Sequence, residues 1–298
     1  MKKYILIIGL IISWSAKASD EITIVAQTDP NDASTKCGND CTWKLYSDGR
    51  FEITGTGAMY DYGQKHGINT NWAVDGSPWD DYIDQIKSVD ISHGITTVGN
   101  SAFKGALNLK NVQIPEGVVS IGNGSFMSCQ MPEIKLPDSL KKIDAWAFAE
   151  SVFSKIDIPV SVEEIGRAAF WGTRIGTLVL PDLLKSMASD VFYASTVNTI
   201  VISDKLSNID QGAFNGAIHL QSIYCTGDVD VCKTNVGESF ADKVKKASIK
   251  KINGVTYVVD NKGKIVATSG HRTEKRIYTI DEANQVAGKI NSVSIRYR

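Results

Sequence analysis

The chain has 298 residues, is 43% hydrophobic and 22% charged, and carries a formal net charge of −1. There is no basic excess with which to bind nucleic acid, so no nucleic-acid partner is expected. The apolar fraction is ample for a buried core, and the length suits one large domain or a repeat array with its caps.

Residues 1–18 read as a secretory signal peptide. Lys2 and Lys3 precede an apolar run from Tyr4 to Trp14, and Ala16-Lys17-Ala18 forms an A-x-A cleavage site, with cleavage expected after Ala18. The run is too short for a transmembrane anchor, and no later segment is long and apolar enough to make one. The mature chain is therefore expected to carry no transmembrane helix and to be exported: secreted, periplasmic or at the cell surface. Its charge is uneven. Residues 242–298 hold 13 Lys and Arg against 5 Asp and Glu, a net +8, whereas residues 19–241 hold 16 against 28, a net −12. The basic tail either packs against the acidic body or meets an anionic surface such as a glycan or lipid headgroup.

Residues 19–85 predict a β-rich N-terminal cap. Trp43 to Tyr46 and Phe51 to Thr54 flank a turn containing Asp48-Gly49, a hairpin signature. Cys37 and Cys41 stand at its start and are candidates for a disulfide, with zinc as a weaker alternative.

From Ile86 to about residue 240 the chain repeats. Phe103, Phe126, Phe148, Phe170, Phe192 and Phe214 recur every 22 or 23 residues. Apolar residues also recur 17, 14, 12, 8 and 5 positions before each Phe, without exception. Such a period is the signature of a solenoid whose coils bury their apolar sides against one another. The positions 14 and 12 before each Phe have period 2 and predict one short strand per coil. Pro115, Pro137, Pro159 and Pro181 follow that strand and end it. Small residues flank each Phe, among them Cys129, which reads as a buried free thiol. The outward side chains of the strands form two rows, and the last strands turn apolar: Val179, Val201 and Tyr224, flanked by Thr177 and Thr199. These five are candidate partner-binding residues, unless the tail covers them. After each Phe, Trp171 and Tyr193 should stack at the coil's corner.

Regularity fades after Leu220, Ile223 and Cys225. Cys225 and Cys232 are the other disulfide candidates, with zinc the weaker alternative here too. Residues 241–250 read as a Lys-rich linker. Val255 to Val259 and Lys264 to Ala267 suggest a second hairpin, Thr279 to Ala287 a short helix, and Val293 to Tyr297 a strand. Residues 241–298 are thus a small α+β, or wholly β, basic module, either docked on the last coil or serving as an attachment signal.

No catalytic constellation emerges. The four His (His66, His93, His219, His271) lie in no metal or nucleophile motif. Asp228 and Asp230 are too few carboxylates for a calcium loop. Asp80-Asp81 beside Trp79 is a weak carbohydrate signal. No cofactor, metal or catalytic residue is expected.

The repeat pattern L-x-x-I-x-I-P-x-x-L-x-x-I-x-x-x-A-F resembles the BspA-like branch of leucine-rich repeat proteins. So do Cys37-Gly38, Thr42-Trp43, Gly55 to Met59 and Ser77 to Trp79 in the cap; Cys41 is an addition to that pattern. The resemblance implies a leucine-rich-repeat solenoid of six to seven coils, mainly β, and a non-catalytic protein that binds a host or envelope protein or mediates adhesion. The alternatives are a structural envelope component without a specific ligand and a carbohydrate-binding module.

Overall fold

A computed structural model describes residues 21–63, 76–153, 155–206, 208–252 and 255–269. The signal peptide with its cleavage site, His66, His271, the helix expected at 279–287 and the last strand lie outside these residues.

The cap is β1 (Ile24–Gln27), β2 (Gly38–Tyr46) and β3 (Arg50–Met59). β2 and β3 form the antiparallel hairpin, with Leu45 opposite Phe51 and Trp43 opposite Ile53. Its second strand is also the first rung of the solenoid. Phe51 and Ile53 of β3 pair in parallel with Val89 and Ile91 of β4 (Ser88–Ile91). Further along, Gly57 and Ala58 pair with Ile95 and Thr97 of β5 (Ile95–Val98). The bend between these pairings passes through Gly55, where φ is 127° and a Cβ would lie 1.9 Å from the Asp40 carbonyl oxygen. Only glycine fits there.

Each coil then contributes two strands. One parallel ladder runs through β6 (Asn111–Gln113), β8 (Glu133–Lys135) and β10 (Lys155–Asp157). It is interrupted, and resumes in a second sheet with β12 (Thr177–Val179), β14 (Thr199–Ile202) and β15 (Ser222–Cys225). A separate ladder links β5 to β7 (Ser120–Ile121), β9 (Lys142–Ile143), β11 (Glu164–Ile165) and β13 (Ser186–Met187). The first ladder is the strand expected from period 2. The second is an addition. Its strands are two residues long, too short to show a period, and they mark themselves only by the apolar residue five before each Phe. The turns between the ladders follow the prolines: Leu140, Val162 and Leu184 donate to the carbonyls of Pro137, Pro159 and Pro181 at 3.1–3.2 Å.

The third side of each coil is a turn that carries the Phe. Phe126 and Phe148 donate their N–H groups to Ala147 and Ala169 of the next coil at 2.9 Å. The rings stack almost parallel from Phe103 to Phe214, with centroids 5.5–6.1 Å apart. Trp79 continues the stack at 5.9 Å on the cap side, and Phe240 closes it at 5.5 Å on the other. The apolar residues at the six repeat positions are buried, except the half-buried Ile209 in the last regular coil. The small hydroxyl residues beside the ladder are buried and bonded: Ser151 donates to Phe126 O at 2.5 Å and Thr173 to Phe170 O at 2.7 Å. Cys129 is a buried free thiol in the same row, its pKa pushed up to about 12 by burial.

Beyond β15 come α1 (Val229–Val236) and α2 (Glu238–Ala241). Asp228 caps α1 by accepting from the N–H groups of Asp230 and Val231. Cys225 and Cys232 are joined by a disulfide, with Cα atoms 6.2 Å apart, tying β15 to the helix. The expected linker at 241–250 is instead mostly a strand, β16 (Val244–Ile252), parallel to β15. Val244 and Ala247 face inward, and burying them outweighs the lysines between, which point outward. β17 (Val255–Asp260) and β18 (Ile265–Ser269) complete an antiparallel hairpin on it.

Candidate functional site

The apolar row on the strand face is covered by the chain itself. Val179 pairs with Val201, Val201 with Tyr224, and Tyr224 with Lys245. Val201 is only 2% exposed and sits in a small cluster with Ala247, Val258 and Ala267, against which Val179 and Tyr224 pack. Lys245 donates to Ser222 Oγ at 2.6 Å and holds its ammonium 5.9 Å from the Tyr224 ring centre. Thr177 is exposed and Thr199 half-buried at the margin. These five residues were expected either to meet a partner or to seat the tail. Val179, Val201 and Tyr224 seat the tail, because β16 extends the sheet and the hairpin folds back over it, while Thr177 and Thr199 stay at the margin. Val201 is therefore not offered to an external ligand.

A second surface has opposite properties. In the Phe turn, the backbone is left-handed two residues before Phe103, Phe126, Phe148, Phe170 and Phe192, and two residues after all six Phe. The earlier position holds Ser101, Gly124, Trp146, Ala168 and Asp190, with φ between 54° and 60°. A bulky residue in this region is a strained outlier that its surroundings must hold, and such outliers cluster at functional sites. Trp146, at φ 57°, is that residue. Its indole meets Trp171 of the next coil edge-on at 5.2 Å, and Trp171 meets Tyr193 of the following coil at 6.3 Å. Tyr193 is 44% exposed, and its ring lies over Gly216, where a Cβ would come within 2.3 Å of ring carbon. Arg167 and Asp190 flank the strip as an ion pair at 3.1 Å. Trp171 and Tyr193 were expected to stack from the repeat register. Trp146 was missed because it lies on a different offset from Phe; the glycine at the same offset in Gly124 was the available signal.

The weaker chemical candidates do not assemble. Trp79 is buried and donates its indole N–H to Ala102 O at 2.7 Å, so it offers no stacking face beside Asp80 and Asp81. Cys37 and Cys41, expected as a bridge or zinc pair, carry free buried thiols. The intervening Gly38 and the irregular β2 register bring their side chains into hydrogen-bond contact without a covalent link. Among the described residues, no group of three or more His, Cys, Asp and Glu could hold a metal. A shallow groove on the second ladder is lined by Lys142, Asp144, Glu164, Ser186, Asn208 and Asp210, with Lys142 and Asp144 paired at 3.0 Å. No helix among the described residues is long and apolar enough to cross a membrane.

The parallel ladders, the coil length and the stacked Phe turns define a leucine-rich-repeat solenoid of about seven turns. The sequence pattern of the BspA type leucine rich repeat region matches in six copies, over residues 81–196 and 142–259, and the chain belongs to that family. Solved structures similar to it include a leucine-rich repeat protein from Eubacterium ventriosum, 24% identical over 74% of this chain and 47% of that one, with a TM-score of 0.42. A leucine rich cell surface protein from Faecalibacterium prausnitzii is 21% identical over 76% of this chain and 59% of that one, with a TM-score of 0.43. The chain thus spans between 47% and 59% of the length of these two. Among curated proteins, none matches the chain.

Proposed function

We propose that the protein is a non-catalytic, exported binding module that engages a protein partner of the host or the cell envelope, in adhesion or a related contact. Its contact surface is the strip Trp146–Trp171–Tyr193 with Arg167 at its side. The observation that supports this is Trp146. A tryptophan kept in a left-handed turn costs on the order of 1–3 kcal/mol. Glycine at that position, as Gly124 in the preceding coil, would spare this. Half-buried Trp146 and Trp171 with exposed Tyr193 and Arg167 bring together, in one cluster, the residue types that dominate protein–protein binding energy. The repeat scaffold suits such a role, since it presents side chains from successive coils at fixed spacing.

The test starts from a partner captured on the immobilised chain from envelope or matrix extracts and identified by mass spectrometry. Trp171→Ala and Tyr193→Ala together should weaken that purified partner's binding by about 30-fold or more, the loss that defines a hot spot. Unchanged affinity would remove the strip as the contact surface. Retention of no protein above control would favour a structural envelope component without a ligand.

A further inference from the structure

We propose that Cys37 and Cys41 are a redox pair which closes to a second disulfide as the chain folds under oxidising conditions, locking the irregular start of β2 to the cap. Three observations carry this. Both thiols are buried, at 0% and 2% exposure. Their side chains are brought together by the break in register between Gly38 and Asp40. A Cβ on Gly38 would lie 2.7 Å from Cys41 Sγ, so Cys41 folds back toward the start of the strand and Gly38 leaves room for it. In a regular strand, residues four apart would stand about 13 Å from each other. The same chain already holds Cys225 and Cys232 as a disulfide across a short loop. Conditions that oxidise one near-neighbour pair are available to the other.

The chemistry is thiol–disulfide exchange with an external disulfide, such as oxidised glutathione or the oxidised dithiol of a folding catalyst. One thiol of the pair loses its proton, and its sulfur attacks one sulfur of the external disulfide and expels a thiolate. The other thiol then loses its proton and attacks the protein sulfur of the mixed disulfide, expelling the second thiolate. Two protons leave the pair and both external thiolates become thiols. The net change is oxidation of two protein thiols and reduction of one external disulfide. Burial of both sulfurs puts this step during folding, or during opening of the cap, rather than in the closed state.

The full chain, reduced and unfolded, is refolded in a series of glutathione redox buffers, denatured, alkylated with iodoacetamide and mapped as peptides. The Cys225–Cys232 linkage serves as the internal sign that oxidation has occurred. In buffers where it has closed, a linked Cys37–Cys41 peptide is expected, with Cys129 alkylated. Alkylation of both Cys37 and Cys41 there would overturn the proposal, as would linkage of either to Cys129. A second measurement separates a bridge from two packed thiols. Compared with the parent chain in the same redox state, so that the Cys225–Cys232 bridge is common to both, Cys37→Ser with Cys41→Ser should lower the melting midpoint more when both chains are oxidised than when both are reduced. An equal loss in both states would contradict the bridge.

Discussion

Single residues show how the solenoid handles its polar and strained groups. Glu163 joins three coils: its N–H donates to Lys141 O at 2.8 Å, and its carboxylate receives Lys141 at 3.2 Å from one side and Lys185 from the other. These hydrogen bonds, Lys185's first, hold the Glu163 carboxyl below its ordinary range. The folded pKa lies below the unfolded value, so the stabilisation is complete above about pH 4.3 and disappears as pH falls through the lower folded value. The site faces solvent, so the effect is small and salt-sensitive. Glu163→Gln should lower the melting midpoint at neutral pH, and the gap to the parent chain should close on acidification. A gap that stayed constant down to about pH 2 would show that the carboxylate's charge is irrelevant.

Whole elements follow from the Phe ladder. Each ring touches the rings of the coils on both sides, so the stack transmits order along the solenoid. Phe148 sits at its middle. Phe148→Ala should cost about 3–5 kcal/mol, and should cut cooperativity between the halves. Hydrogen exchange should quicken for the bonds from Phe126 to Ala147 and from Phe148 to Ala169 before it quickens in the cap. Uniform acceleration along the chain would mean the coils do not act as neighbours. Much of this element level was legible in the sequence, because six apolar positions at constant offsets leave little choice of which side is inward. The cap hairpin was legible from Asp48-Gly49. The second ladder was not, because strands such as Ser120–Ile121 are too short to alternate. Residues 241–250 were misread because four lysines and an aspartate outweigh Val244 and Ala247 in composition, although these two apolar residues decide the burial.

At the scale of the molecule, the chain closes both ends of its own stack. Trp79 and the hairpin seal one, Phe240 and the disulfide-tied helix the other, and the strands beyond fold over the apolar part of the outward row. Val179, Val201 and Tyr224 were legible as an apolar patch with the tail as one candidate cover, but the choice between the tail and an external partner was not, since contact between distant segments leaves no local pattern. This arrangement turns the sheet face inward at its C-terminal half and leaves the Trp146–Trp171–Tyr193 strip outside. It can be measured by thiol labelling in a Cys129→Ser background, comparing Val201→Cys with Tyr193→Cys in the otherwise intact chain. Position 193 should react at the rate of an exposed thiol, and position 201 far more slowly, at the rate at which β16 to β18 open. Equal, rapid labelling at both positions would contradict the covered sheet face and return Val201 to the solvent.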